Sequence, residues 1–178
     1  KIKMNNMKES TKSSEVVFQG EFLDVRRDKV TLPNGEIGTR EWIKHPGAVC
    51  CIPILPDKKI GLIRQYRYAL KSHMIEMPAG KLNRGENPGN CVKRELEEEI
   101  GYRAKKVSFL TNIHPAIGFA NEKMWLFIAE ELVKTSPNQD NDEFLEVIPT
   151  SLEDALNLIW TGKIIDAKTI IGLLFYNR

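Results

Sequence analysis

The stretch PAGKLNRGENPGNCVKRELEEEIGY, residues 78 to 102, joins a glycine-rich loop to a segment with helical spacing. The apolar residues that recur on one stripe of that segment are Val92, Leu96 and Ile100. Residues three and four apart share a face of a helix, so the spacing predicts a helix from Pro88 to Ile100. The glycines of the loop are Gly80, Gly85 and Gly89. We expect them to let the loop turn tightly.

The polar side of the predicted helix carries a dense group of acidic side chains. Glu95, Glu98 and Glu99 converge at helical spacing, and like charges this close destabilise an isolated helix by roughly 0.2–0.5 kcal/mol per pair. A divalent cation would reverse that effect. Because the ligands are all oxygens, a hard ion such as Mg²⁺ or Mn²⁺ suits the group better than zinc, and Mg²⁺ is commonly shared with substrate phosphates. The alternative interpretation is a solvated glutamate-rich helix face.

The loop and the helix together resemble the Nudix box, GX5EX7REUXEEXGU, in which U is a bulky apolar residue. The matching residues are Gly80, Glu86, Arg94, Glu95, Leu96, Glu98, Glu99, Gly101 and Tyr102. Tyr102 is a soft departure, because an aliphatic residue is more usual at that position. The resemblance implies a Nudix hydrolase of the α+β class, with an α/β/α sandwich and Mg²⁺-dependent cleavage of a diphosphate linked to another moiety.

The resemblance also implies roles for residues of the box. The expected metal ligands are Glu95, Glu98, Glu99 and the carbonyl of Ala79. Glu98 and Arg94 belong to the expected catalytic group. Arg94 and Glu86 would brace the loop against the helix, with Arg94 paired to a carboxylate. The metal would neutralise the diphosphate, orient it and lower the pKa of a bound water.

Stretches outside the box resemble the ADP-ribose pyrophosphatase branch of the family. They are TREWIKHPGAV, IRQYRYAL, IEMPAG, HPAIGFANE and DEFLEVI, so the likeness runs from about Val16 to the C-terminus. Pro115, a short distance past the box, is a further soft feature of the branch. The branch implies homodimers whose N-terminal strand unit packs on the partner or exchanges with it. It also implies cleavage of ADP-ribose into AMP and ribose 5-phosphate.

Candidate substrate contacts lie outside the box. We expect Arg67 to bind the diphosphate, because a guanidinium can contact two phosphate oxygens at once; a surface arginine is the alternative. Arg40 and Glu41 stand where the branch places substrate contacts near the dimer interface, and a salt-bridged strand edge is the other interpretation. An aromatic residue of the N-terminal unit would stack on the adenine. The candidates are Phe18, Phe22 and Trp42.

The general base is expected on a loop, because the branch places a carboxylate there. Glu143 in NQDNDEF best fits the position that activates water or adds a metal ligand. The partner carboxylate of relatives falls on Asn141, which cannot act as a base, so Asp140 or Asp142 would substitute. Glu122 in GFANE is a second candidate with a suitable loop position. Simple solvation of a polar turn is the alternative.

Turn signals and short apolar runs divide the chain into segments. They are a polar, flexible leader over residues 1 to 14, a small antiparallel β unit over residues 15 to 44, and the Nudix hydrolase domain over residues 45 to 178. We expect the β unit to dimerise. AVCCIPIL and KIGLIRQYRYAL, joined by PDKK, are predicted to pair as a hairpin. Two later helices are predicted, one capped by Thr150 or Ser151 and the other by Asp166.

Composition argues against several classes of function. The 178 residues carry a formal net charge of +2 with both signs interspersed, so no cationic stripe favours nucleic acid. No apolar run approaches the roughly 20 residues that cross a bilayer. The three cysteines match neither a disulfide framework nor a metal motif, which suggests a reducing cytoplasm. Alternation along a strand would point the adjacent Cys50 and Cys51 to opposite faces.

The sequence therefore predicts Mg²⁺-dependent hydrolysis of ADP-ribose or of a related nucleoside diphosphate sugar, a small-molecule substrate. Two alternatives stay open. The chain could be a Nudix hydrolase of another nucleotide, such as another sugar nucleotide, a dinucleoside polyphosphate or a damaged nucleotide. It could also be a non-catalytic sensor of a nucleotide sugar, although an intact box argues against that interpretation.

Overall fold

The computed structural model describes residues 7–136 and 144–178, which form two compact units. The first unit contains the described chain up to His45 together with Ala116–Glu122, and the second contains the other described residues. The boundary predicted after residue 44 did not include the return of Ala116–Glu122 to the first unit. No helix among these residues has the length and the apolar composition that crossing a membrane requires.

The first unit is built on a three-stranded antiparallel sheet. Its strands are β1 (Ser10–Gln19), β2 (Asp24–Thr31) and β3 (Ile37–Lys44), in the order β1-β2-β3. The turn from β2 to β3 contains Gly35 at φ +87°, a left-handed conformation that glycine adopts without steric strain. The small antiparallel unit predicted from the sequence is therefore confirmed.

The strand β1 begins inside the segment 1 to 14 that the sequence analysis assigned to a flexible leader. Ser10 pairs with Thr31 and Thr11 with Val30 across the β1–β2 ladder. Ladder hydrogen bonds use backbone groups, so a polar segment without apolar alternation can extend a sheet. Every residue of β1 is exposed, which explains why its start leaves no periodic signal in the sequence.

Residues 116–122 are attached to the end of β3 by backbone hydrogen bonds. The amide of Ile43 donates to the Phe119 carbonyl at 2.7 Å, and the Ile43 carbonyl accepts from the Asn121 amide at 3.2 Å. The side-chain oxygen of Asn121 accepts from the His45 amide at 2.7 Å. A loop that is distant in sequence therefore becomes part of the first unit.

The described part of the second unit contains two sheets and three helices. The strands are β4 (Ala48–Pro53), β5 (Ile60–Arg67), β6 (Ser72–Glu76), β7 (Ala79–Lys81), β8 (Tyr102–Ile113), β9 (Met124–Lys134) and β10 (Leu145–Thr150). The helices are α1 (Pro88–Ile100), α2 (Leu152–Trp160) and α3 (Ala167–Tyr176). One sheet has the order β7-β4-β9-β8 and the other the order β10-β5-β6.

The predicted hairpin of β4 and β5 is wrong, because the two strands belong to different sheets. A single isolated bridge, Ile54 with Ile60, joins their ends among the described residues. All residues of β4 are buried, and the strand pairs in parallel with β9 and antiparallel with β7. An apolar run identifies a buried strand, but it carries no information on which distant strand completes the ladder.

Two groups of buried apolar side chains lie on opposite sides of β4. Cys51 belongs to the group that contains Leu96 of α1. Cys50 belongs to the group that contains Ala155 of α2 and Leu173 of α3. This arrangement confirms both the predicted α/β/α sandwich and the opposite directions of the two thiols. Burial raises the pKa of the Cys50 thiol to about 12, so at neutral pH it packs as a neutral group.

The ends of the helices follow the capping signals of the sequence. Asn87 accepts a hydrogen bond from the Gly89 amide at the start of α1, and Gly101 ends the helix at φ +68°. Ser151 caps α2 and Asp166 caps α3, each through a side-chain oxygen that accepts a backbone amide. The predicted helix from Pro88 to Ile100 and the two predicted caps are confirmed.

Candidate active site

The C-terminal part of α1 contacts the short strand β7 through a buried carboxylate. Glu99 is 2% exposed, and its Oε2 accepts a hydrogen bond from the Ala79 amide at 3.0 Å. This contact uses the Ala79 amide, and metal binding by the Ala79 carbonyl stays a prediction. The structure nevertheless brings these two predicted ligands together, because β7 runs alongside the helix.

A second carboxylate of α1 lies against the backbone of β7. A Cβ atom built on Gly80 would be 1.8 Å from Cδ of Glu95 and 1.9 Å from its Oε1. No real side chain tolerates such distances, so glycine at position 80 leaves the space that the Glu95 carboxylate occupies. The glycine of the motif thus has a packing reason at this position.

Arg94 pairs with three carboxylates of the candidate site. Its Nη1 lies 2.8 Å from Oε1 of Glu95 and donates to Oε2 of Glu98 at 2.7 Å. Its Nε donates to Oε1 of Glu86 at 3.1 Å, and its Nη2 donates to the Lys81 carbonyl at 3.2 Å. The contact that was expected to brace the loop against the helix is therefore present.

This ion-pair group shifts the protonation of its members. The hydrogen bond from Arg94 is the main cause that lowers the pKa of Glu86 to about 2, against the opposing effect of burial. The pKa of Arg94 is raised above its ordinary value, first by its hydrogen bond to Glu86. Both side chains are therefore charged across the physiological pH range.

The donor set of the α1 face fits a hard divalent cation by its chemistry. Glu95, Glu98 and Glu99 offer carboxylate oxygens with limited exposure to water, which is the ligand type that Mg²⁺ and Mn²⁺ prefer. Among the described residues, no group of three acidic, histidine or cysteine side chains is already arranged to hold a metal ion. Arg94 supplies compensating positive charge to two of these carboxylates.

Arg67, the expected diphosphate contact, lies at the end of β5 and pairs with a buried glutamate. Its Nε and Nη2 donate to the two carboxylate oxygens of Glu76 at 2.7 and 2.8 Å. Lys168 of α3 also donates to Glu76 and lies 3.0 Å from Asp166. Sequence reasoning missed the roles of Glu76 and Lys168, because 92 positions separate them and no spacing signal links them.

The electrostatic environment keeps Arg67 charged. Hydrogen bonds to Glu76 are the main cause that raises the pKa of Arg67, against the opposing effect of burial. The negative charges of Glu76, Glu99 and Asp166 raise it further. The charge of Glu99 thus acts on Arg67, which links the pair at the end of β5 to the carboxylate face of α1.

The substrate candidates of the first unit form exposed ion pairs. Arg40 donates to Glu9 through Nε at 2.9 Å and through Nη2. Glu41 accepts from Nε of Arg27 at 2.8 Å. These contacts are those of a salt-bridged sheet surface, and whether Arg40 and Glu41 also contact substrate stays a prediction.

One of the two candidate bases lies among the described residues. Glu122 lies in the first unit, with Oε1 3.7 Å from Nε2 of His45. Glu143 lies outside the described residues, as do Asp140, Asn141 and Asp142. Their assignment as base or metal ligand stays a prediction.

Of the aromatic candidates for base stacking, one is held by a polar contact. The indole nitrogen of Trp42 donates to Oδ2 of Asp28 at 3.0 Å. Phe22 lies edge-on to His45 with ring centroids 5.4 Å apart, and Phe18 is more than half exposed. Stacking of one of these three rings on the adenine stays a prediction.

Two family models match most of the chain. The NUDIX domain family matches residues 44–171, and the nucleoside diphosphate sugar hydrolase N-terminal domain matches residues 9–43. An ADP-ribose pyrophosphatase of Bacillus subtilis (strain 168) is 41% identical over 97% of this chain and 94% of its own length. A methanol dehydrogenase activator of Bacillus methanolicus is 39% identical over 94% of this chain and 91% of its own length. A crystal structure of an ADP compounds hydrolase superposes with a TM-score of 0.86 at 24% identity, covering 96% of this chain and 92% of that one.

Proposed function

Because the chain belongs to the Nudix family and is a pyrophosphohydrolase of that family, we propose that it hydrolyses the diphosphate of ADP-ribose to give AMP and ribose 5-phosphate. The observation that carries the proposal is the α1 face, where Glu95, Glu98 and Glu99 lie beside β7 and Arg94. The 41% identity to an ADP-ribose pyrophosphatase over nearly the whole chain supports this choice of substrate.

The proposed cofactor is Mg²⁺, with Mn²⁺ as a substitute. The residues proposed to hold it are Glu95, Glu98, Glu99, the carbonyl of Ala79 and Glu143. A bound divalent ion would neutralise the diphosphate and lower the pKa of a water molecule. Because Gly80 has no side chain, the Glu95 carboxylate has room beside β7. The hydrogen bond from the Ala79 amide fixes the orientation of the Glu99 carboxylate.

Other residues are proposed to bind and orient the substrate. Arg67 would contact a phosphate oxygen, and Arg94 would keep the loop and the helix in register. Arg40 and Glu41 are proposed as further substrate contacts. Glu143 is proposed as the general base, with Glu122 as the alternative carboxylate.

We propose that the protein is a homodimer in the cytoplasm. The support for a dimer is β1, a wholly exposed strand at the edge of a sheet, in which Val16 is 50% and Phe18 54% exposed. The support for a reducing compartment is that the cysteines are free and buried. The proposed ligand is the small-molecule nucleotide sugar substrate. We propose no binding to nucleic acid or to a membrane.

A second candidate function is regulatory binding of a nucleotide sugar. The observation that favours it is the relative named as a methanol dehydrogenase activator, 39% identical to this chain. Tight binding of ADP-ribose without detectable turnover would support this candidate over hydrolysis.

The test of the main proposal is a set of initial rates with Mg²⁺ and with Mn²⁺. The substrates are ADP-ribose, another nucleoside diphosphate sugar, a dinucleoside polyphosphate and a nucleoside triphosphate. Phosphate release is measured after phosphatase treatment for the first three, whose phosphates are capped at both ends, and after inorganic pyrophosphatase treatment for the triphosphate. We expect the highest kcat/KM with ADP-ribose and no activity after chelation. A preference for the triphosphate would contradict the proposed substrate.

Glu98 and Glu97 offer a matched pair of variants. Glu98→Gln removes a proposed metal ligand, so we expect kcat to fall about 100-fold or more while the thermal unfolding temperature changes little. Glu97 pairs with Arg103 at 2.8 Å through an exposed contact, so Glu97→Gln removes the same charge and should retain activity. Equal rates for the two variants would remove Glu98 from the catalytic group.

A further inference from the structure

Two consecutive residues at the start of α3 bind the end of β6 and the residue that follows it. Lys168 donates to the Glu76 carboxylate, and Thr169 accepts a hydrogen bond from the Met77 amide at 2.8 Å. Glu76 and Thr169 are almost completely buried. The segment that these contacts hold leads directly into Ala79 and Gly80. The start of α3 therefore fixes the position of the chain that enters β7, next to the carboxylate face of α1.

The Glu76 carboxylate is shared by two cations. Oε1 accepts from Nε of Arg67 at 2.7 Å, and Oε2 accepts from Nη2 of Arg67 at 2.8 Å and from Nζ of Lys168. The side chains of Glu76 and Lys168 are 3% and 11% exposed, whereas that of Arg67 is 40% exposed. Because Glu76 and Lys168 are buried and Arg67 is partly exposed, the guanidinium of Arg67 is accessible to a ligand.

Sharing changes what Arg67 can offer to an anion. One carboxylate cannot neutralise two cations, and Asp166 offsets part of the excess through its 3.0 Å contact with Lys168. Among the described residues, Nε and Nη2 of Arg67 donate to Glu76, so Nη1 is left to donate to a phosphate oxygen. Charge-assisted bonds from guanidinium to phosphate are strong and depend on orientation.

We propose that Lys168 is a positioning residue for diphosphate binding: by sharing Glu76 with Arg67, it fixes the orientation of the Arg67 guanidinium and keeps part of its positive charge available to the substrate. This inference rests on the proposed function, because it takes a diphosphate as the ligand. Without Lys168, Glu76 would neutralise Arg67 alone and the guanidinium would be free to change its mode of pairing.

The first test measures affinity without catalysis. A non-hydrolysable ADP-ribose analogue, with a methylene bridge in place of the diphosphate oxygen, is titrated by calorimetry into the full-length protein with Mg²⁺ present. The proposed ion is then in place and hydrolysis does not interfere. We expect Lys168→Met to weaken binding about tenfold, the size of one charge-assisted hydrogen bond. Lys106→Met is the matched control, because Lys106 pairs with Glu130 on an exposed part of β8 and β9. A folded Lys168→Met protein with the affinity of the control would overturn the proposal.

Asp166→Asn tests the same idea with the opposite sign of charge. Asparagine caps helices as well as aspartate does, so α3 keeps its start and the variant should fold even if Lys168→Met does not. Without this negative charge, Lys168 pairs with Glu76 alone and neutralises more of its charge. Less of the Arg67 charge is then neutralised by Glu76, so we expect the ADP-ribose analogue to bind the variant more tightly than the wild type. Unchanged or weaker binding would contradict the inference.

The second test observes Arg67 without any ligand, so it stays informative if ADP-ribose is the wrong substrate. The Nε–H signal of Arg67 is assigned in ¹⁵N spectra by its loss in Arg67→Lys. We expect it to be protected from exchange in the wild type and in Lys106→Met, and to shift or exchange faster in Lys168→Met. An unchanged signal in folded Lys168→Met would refute the positioning role. Failure of the wild type to bind the ADP-ribose analogue would instead count against the proposed substrate.

Discussion

At Gly80 the backbone of β7 and the Glu95 carboxylate are so close that a methyl group has no room, with Cδ of Glu95 1.8 Å from an ideal Cβ position. The clashing atoms are the far end of a flexible side chain. The Glu95 carboxylate can therefore swing away at little cost to folding. What is lost is its position beside Glu98 and Arg94.

Gly80→Ala should therefore separate activity from stability. We expect kcat/KM for ADP-ribose to fall by about 10²-fold, because one proposed metal ligand is displaced, while the free energy of unfolding changes by only about 1 kcal/mol. Steady-state rates and urea unfolding measure the two quantities. Gly118→Ala is the control, since a Cβ there meets nothing within 4 Å. Wild-type activity in Gly80→Ala would show that the position of Glu95 is not required.

The sequence identified Gly80 correctly as a special position but for a different physical reason. It predicted tight turning of the loop, and that freedom is used at Gly85, which has φ +77°. At Gly80 the requirement is space for a side chain fifteen positions later. A motif reports which residue is needed, whereas the clash that excludes a side chain appears only in three dimensions.

At the scale of elements, α1 is fixed to the preceding loop by one ion pair and its supporting bonds. Arg94 of the helix bonds Glu86 of the loop, and Glu86 also accepts the Asn83 amide at 2.8 Å. These bonds stabilise the charged form of Glu86 and lower its pKa from 4.5 to about 2. The brace is therefore a source of stability that depends on pH.

The contribution of this brace is fully present above the ordinary pKa of 4.5, because Glu86 then ionises in the folded and the unfolded chain alike. It is lost as pH falls from 4.5 through about 2, where the folded form also takes up a proton. We expect the stability difference between wild type and Glu86→Gln to shrink over that window. Urea unfolding at several pH values measures it, and a constant difference would contradict the assigned cause.

Elements with local signals were predicted well, and strand partners were not. The α1 helix and the caps at Ser151 and Asp166 follow from residues within a few positions of each other. The pairing of β4 with β9 joins Ala48 to Met124, and the intervening residues contain no signal that selects this partner. The contact of Lys168 with Glu76 was not predicted for the same reason, because the two residues are distant in sequence. The α1 carboxylates were predictable because one helix turn carries them.

At the scale of the molecule, β1 leaves the first unit with an edge that has no neighbour among the described residues. Its exposed apolar side chains include Val16 and Phe18. Edge strands with apolar side chains are commonly covered by another chain. A second copy of this chain, using the same surface, is the occupant that the proposed homodimer supplies.

We expect light scattering after gel filtration to give twice the mass of one chain for the wild type. Phe18→Asp should shift the protein to the monomer, because a carboxylate would be buried without a partner at the interface. Leu70→Asp places the same charge at a position of similar exposure in the second unit and should leave the dimer intact. A monomeric wild type would contradict the dimer.

The parallel pairing of Ala48 with Met124 sets an order of events on the ribosome. β1, β2 and β3 are neighbours along the chain and can close as they leave the exit tunnel. β4 cannot complete its ladder until β9 has been synthesised. A nascent chain halted ahead of Met124 therefore displays a strand whose six residues are all buried in the finished protein, and that length is where we expect chaperones to bind it.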